Sequence, residues 1–68
     1  MLQAELGKSI KKRRQELKVT QTHLASLAGI SKNTLYKLER GQSNPTLDII
    51  YKLADVLGME IKFEAKKV

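Results

Sequence analysis

Five polar side chains share one arc of a short predicted helix: Lys32, Asn33, Tyr36, Lys37 and Arg40. At about 100° per residue they lie opposite Leu35 and Leu38. The arc holds three cations, one amide and one phenol but no carboxylate, whereas a helix face that is merely solvated usually mixes both signs of charge. Cations neutralise phosphates, and amides and ammonium groups hydrogen-bond base edges. The arc therefore favours recognition of a nucleic acid over a bare solvated face, which is the alternative.

Two short helices joined by a tight turn are expected to position this arc. The first covers residues 21–28, with the Thr20 hydroxyl as an N-cap that accepts a backbone N–H. Gly29 follows it, at a position where a left-handed backbone is cheap only for glycine. Ser31 is a second N-cap and opens the helix that carries the arc, which is expected to end near Arg40.

Two further amphipathic helices flank this pair. The first is predicted from residue 3 or 4 to residue 17, and the second from residue 45 or 46 to residue 57. Their apolar stripes should form much of the core, and comprise Leu6, Ile10 and Leu17 in the first helix and Leu47, Ile50, Leu53, Ala54 and Leu57 in the second.

Composition narrows the classes of function. Sixty-eight residues allow one domain with a small core, and thirteen Lys and Arg against seven acids give a net charge of +6, which suits a polyanionic partner. The absence of cysteine excludes thiolate metal sites and fits a reducing cytoplasm. A single histidine, His23, offers no metal-ligand spacing and no acid–base pair, so neither an enzyme nor a cofactor is expected. We also expect no membrane span and no secretory signal.

The last segment changes period. Met59, Ile61 and Phe63 alternate with charged residues, which predicts a strand with one apolar face. A lone strand cannot satisfy its own backbone groups, so the expected solution is antiparallel pairing with the same strand of a second copy. This divides the chain into a helical domain over residues 1–58 and a dimerisation segment over residues 59–68. The alternatives are a strand from another protein, or a frayed tail.

The motif itself resembles the Cro/phage-repressor type of helix-turn-helix, also called the Xre family. The shared features are a glutamine at the start of the first motif helix, the string LAxLAGIS across the turn, and LERG followed by NP after the second helix. The resemblance covers about residues 6–58. It implies an all-α, four-helix, lambda-repressor-like DNA-binding domain, to which the C-terminal strand would be an addition similar to that of HipB-type antitoxins.

The resemblance also implies roles for single residues. Base edges of double-stranded DNA would be read by Lys32, Asn33, Tyr36 and Lys37, and the DNA backbone would be contacted by Thr20, Gln21, Arg40, Ser43 and Asn44. Arg14 and Glu39 would form an ion pair between the first helix and the recognition helix, since a carboxylate beside an apolar face needs a partner. The alternative is two exposed charges without contact.

The function implied is a sequence-specific transcriptional regulator, most simply a repressor, that binds an inverted-repeat operator as a homodimer. The alternative is an antitoxin that regulates its own operon and also binds a toxin protein.

Overall fold

Four α-helices account for most of the computed structural model, which describes residues 2–66. They are α1 (Leu2–Glu16), α2 (Gln21–Ala28), α3 (Lys32–Glu39) and α4 (Leu47–Leu57). The bounds predicted for α2 are confirmed, and those of the other helices shift by one or two residues, as the ends of helices commonly do. None of the helices is both long enough and apolar enough to cross a bilayer.

Hydroxyl caps begin three of the helices. Thr20 accepts a hydrogen bond from the backbone N–H of His23 at 3.1 Å, and Ser31 accepts one from Thr34 at 3.0 Å. Thr46 does the same for α4, so the expected start at residue 45 or 46 moves to Leu47. Each cap satisfies one of the N–H groups that a helix start leaves without an intrahelical partner.

A left-handed residue lies one or two positions after the last residue of each of the four helices. Three of these residues are glycines with φ of 67–71°, namely Gly29, Gly41 and Gly58, and the fourth is Lys18 with φ of 56°. After α1, the N–H of Lys18 donates to Gln15 O and that of Val19 to Arg14 O, which is the pairing of a Schellman motif. Lysine therefore occupies, at the end of α1, the kind of position that the other helices give to glycine.

The core lies where α3 and α4 each pack against both α1 and α2. Its fully buried members are Ile10, Leu24, Ala25, Ala28, Leu35, Leu38, Leu53 and Leu57. The inner part of both predicted stripes is confirmed. Ile10 is buried on α1, and Leu53, Ala54 and Leu57 are buried on α4.

The outer part of each stripe was predicted wrongly. Leu17 is 43% exposed because α1 ends one residue before it, so the helical period no longer sets its direction. Leu47 is 67% exposed because it is the first residue of α4, ahead of the turns that pack on the core. Burial at the ends of a helix depends on the neighbouring elements, which periodicity does not reveal.

Gly7 allows α1 to approach the end of α3 closely. A Cβ atom built at this position would overlap Leu38 O and lie 2.8 Å from Glu39 O, both of which are backbone atoms. At Gly41 a Cβ atom would lie 2.9 Å from the Cα of Ala4. The two glycines thus bring the first turns of α1 against the end of the helix that carries the polar arc.

The C-terminal strand is the main correction to the predicted fold. Residues 59–66 contain no strand, and the final positions of the segment, 67 and 68, lie outside the described residues. A strand needs a neighbouring backbone with which to exchange hydrogen bonds, and the described part of one chain offers none. Four helices without a strand are therefore the architecture of the described residues, and the HipB-type feature is not part of it.

Candidate nucleic-acid interface

Helix α3 presents the polar arc to solvent. Its outward residues are all exposed and comprise Lys32, Asn33, Tyr36, Lys37 and Arg40. On the opposite side, Leu35 and Leu38 are 0% and 2% exposed, so the helix is held by its apolar face and leaves its polar face free. The structure therefore brings the four predicted base-reading residues together on one surface.

A three-residue network lies at the end of α3. Glu39 accepts hydrogen bonds from Arg14 Nε at 2.6 Å and from Arg14 Nη2 at 3.0 Å, a bidentate geometry. The Glu39 side chain is 2% exposed and that of Arg14 is 11% exposed, so the pair is shielded from water. Gln21 Nε2 donates a third hydrogen bond to Glu39 Oε1 at 3.0 Å. One carboxylate thus joins α1, α2 and α3.

Gln21 has a contact that sequence reasoning missed. The sequence predicted it as a DNA-backbone residue, whereas the structure commits one of its two amide N–H groups to Glu39. The second N–H and the carbonyl oxygen of this half-buried side chain are left for other partners. No short-range pattern links residues 21 and 39, so this contact depends on how α2 crosses α3.

Arg13 is another structural residue that the sequence did not identify. Its Nε donates to Leu57 O at 2.9 Å, which satisfies a carbonyl in the last turn of α4. Arg14 Nη1 similarly donates to Val19 O at 2.9 Å, beyond the end of α1. Two adjacent cations of α1 therefore join helix ends; the Arg14 side chain is mostly shielded from water, whereas that of Arg13 stays 39% exposed.

The residues predicted to contact the DNA backbone are placed differently from one another. Arg40 and Asn44 are exposed, and so is Thr20, whose hydroxyl caps α2. Ser43 differs, since its Oγ is buried and has no hydrogen-bond partner among the described residues. In this conformation a phosphate would meet the backbone of the loop or the Asn44 side chain rather than that hydroxyl.

Residues 2–66 contain no group of three or more His, Cys, Asp or Glu side chains arranged to hold a metal ion. The one histidine, His23, is exposed on α2 and contributes its backbone N–H to the Thr20 cap.

Comparison with known proteins agrees with this geometry. The sequence model of the helix-turn-helix family matches residues 10–63. An uncharacterized HTH-type transcriptional regulator of Methanothermobacter thermautotrophicus is 37% identical over 51 residues, which are 75% of this chain and 74% of that protein. The immunity repressor protein of Bacillus phage phi105 is 38% identical over 56 residues, which are 82% of this chain and 39% of the repressor.

Among solved structures, the chain is similar to the restriction-modification controller protein C.AhdI from Aeromonas hydrophila. The TM-score is 0.82 at 33% sequence identity, covering 85% of this chain and 88% of that one. The chain belongs to the helix-turn-helix family of the Cro/phage-repressor (Xre) type, a family of DNA-binding transcriptional regulators and not of enzymes.

Proposed function

We propose that this protein is a sequence-specific regulator of transcription that acts as a repressor on double-stranded DNA in the cytoplasm. The observation that carries the proposal is the exposed, carboxylate-free arc of α3, held outward by buried leucines and by the Arg14–Glu39 pair. A helix with such a face fits the major groove, where base edges present distinct patterns of donors and acceptors.

Within the arc, Lys32 and Asn33 at the start of α3 and Lys37 in its last turn are proposed to read bases. Lys32 and Lys37 suit the O6 and N7 acceptors of guanine, and Asn33 suits the N6 and N7 groups of adenine. Arg40, at the other end of the helix, is proposed to contact phosphates together with residues at the starts of α2 and α4. Such contacts position the protein without carrying sequence information.

A homodimer is proposed because several large apolar side chains outside the arc are exposed. They include Leu27, Tyr51, Ile61 and Phe63, of which Phe63 is 90% exposed. A groove of about 330 Å³ is lined by Tyr51, Ala54, Met59 and Ile61 and by the acidic residues Asp55 and Glu60. Exposed apolar side chains in and near this segment support an interface that includes Met59, Ile61 and Phe63.

A two-fold dimer would place two α3 helices about 34 Å apart, one turn of DNA. The experiment is selection of bound duplexes from a random pool, followed by titration of the selected site. We expect an inverted repeat, and an affinity that falls steeply as salt concentration rises. The proposal would be contradicted if the binding affinity were independent of salt concentration for every duplex tested.

The matched variants are Lys32→Ala and Lys12→Ala. Each removes one exposed lysine, the first from the arc and the second from α1. We expect Lys32→Ala to weaken binding by about 1–3 kcal/mol, with relaxed specificity at a single base pair of each half-site. Lys12→Ala should change affinity slightly and leave specificity unaltered. Equal profiles for the two variants would remove Lys32 from the base-reading set.

The toxin-binding alternative stays a prediction from the resemblance. Its test is co-purification of a partner protein with the tagged chain expressed in its native host.

A further inference from the structure

Tyr36 and Arg40 contact each other on the exposed arc of α3. The guanidinium carbon of Arg40 lies 5.3 Å from the centroid of the Tyr36 ring, within the range of a cation–π interaction. The two residues are four positions apart, which places them one above the other on a helix surface. The guanidinium therefore lies over the ring, and Tyr36 remains 45% exposed.

This contact limits what Tyr36 can do. The ring face toward Arg40 is engaged by the cation, whereas the sequence predicted this side chain to read base edges. Arg40, in contrast, gains a defined direction: it follows the last residue of α3, where a long side chain would otherwise sample many rotamers. Stacking on the ring removes part of that freedom before any ligand binds.

Arg40 also keeps its hydrogen-bonding capacity. Within residues 2–66, the ion pairs of arginine involve Arg13 with Glu16 and Arg14 with Glu39, and none involves Arg40. A cation–π contact does not commit the guanidinium N–H groups to an acceptor, so they remain free to donate. A planar fork of donors with no carboxylate partner is suited to a phosphate oxygen pair.

We propose that Tyr36 is a positioning residue for Arg40, and that the two act as one unit that contacts a backbone phosphate of duplex DNA. The inference rests on the proposed DNA-binding function and assigns Tyr36 a role different from base reading. Because a phosphate carries no sequence information, the unit contributes equally to binding of any duplex.

The first test uses the free protein. In two-dimensional NMR spectra, the Hε resonance of Arg40 is expected to lie upfield of its position in an arginine without a neighbouring ring, because the ring current of Tyr36 shields it. The upfield position should persist in Tyr36→Phe, which keeps the ring, and disappear in Tyr36→Leu. An Arg40 resonance that is the same in all three proteins would overturn the stacked arrangement without affecting the proposed function.

The second test is a double-mutant cycle on affinity, measured by fluorescence anisotropy with a selected duplex and with an unrelated one. Tyr36→Phe should bind both within about twofold of the wild type, and Tyr36→Leu should bind both about two- to fivefold more weakly, the range expected for an exposed cation–π pair. In an Arg40→Ala background, the Tyr36→Leu change should have almost no further effect.

Two outcomes of the cycle would overturn the proposal. One is a loss of affinity on Tyr36→Leu that has the same size in the wild-type and the Arg40→Ala backgrounds, which would mean that the two residues act independently. The other is a loss confined to the selected duplex, which would return Tyr36 to base reading. A wild-type protein that binds neither duplex would instead refute the proposed function itself, and circular dichroism melts would show whether each variant is folded.

Discussion

Arg14 and Glu39 lie 25 residues apart in the chain, and their side chains meet through two hydrogen bonds of 2.6 and 3.0 Å. Arg14 belongs to α1, and Glu39 is the last residue of α3. The contact therefore joins the first helix to the end of the helix that carries the polar arc. Since Gln21 on α2 donates to the same carboxylate, three of the four helices meet at one buried charge.

Glu39→Ala is expected to destabilise the protein by about 3 kcal/mol, because it leaves the guanidinium of Arg14 shielded from water without its counter-charge. The control is Glu16→Ala, which removes a half-exposed carboxylate 3.7 Å from Arg13 and should cost less than about 1 kcal/mol. Urea unfolding followed by circular dichroism measures both changes. Equal midpoints for the two variants would mean that the Arg14–Glu39 pair does not stabilise the fold.

Gly7→Ala is expected to destabilise the protein by about 1–3 kcal/mol, because the new methyl group would press on backbone carbonyls at the end of α3 that cannot rotate away. Ser9→Ala is the control, since Ser9 is exposed on the same helix and alanine is the better helix former. Thermal unfolding should show a lower Tm for the first variant and an equal or higher Tm for the second. A Gly7→Ala protein as stable as the wild type would show that α1 can move away from α3 at little cost.

Lys18→Gly is expected to stabilise the protein by about 1 kcal/mol, because a left-handed backbone costs an L-residue about that much and glycine avoids the cost. Gly29→Ala makes the opposite change at the end of α2. A Cβ atom there would have no heavy atom within 4 Å, so any loss reflects the backbone alone. Unfolding free energies that move in opposite directions would support this account, and a destabilised Lys18→Gly protein would argue against it.

Phe63→Ser is expected to weaken self-association by about 10- to 100-fold, which corresponds to losing the burial of one aromatic side chain. Leu47→Ser is the matched control, since Leu47 is also largely exposed but is the first residue of α4 and lies outside the proposed interface segment, residues 59–66. Sedimentation equilibrium over a range of protein concentrations gives both dissociation constants. A wild-type protein that remains monomeric at high concentration would refute the proposed homodimer.

Local chemistry in the sequence was enough to define the helix-turn-helix unit. Thr20, Gly29 and Ser31 act through hydrogen bonds and backbone preferences within a few residues of themselves, so the start and end of α2 and the start of α3 could be predicted. The opposition of leucines to cations on α3 also follows from helical period alone. The family resemblance depended on these same residues.

The tertiary structure decided everything that depends on contact between elements. Three such features depend on where a distant helix lies, which no local pattern records. They are the burial of the Ser43 hydroxyl, the Gln21–Glu39 hydrogen bond and the close approach of α1 to α3 at Gly7. The same limit explains the error over residues 59–66: alternation of side chains indicates which face is apolar, but a strand forms only where a second backbone offers hydrogen bonds. The sequence thus determined which side chains form the polar arc of α3, and packing determined which contacts hold α3 in place.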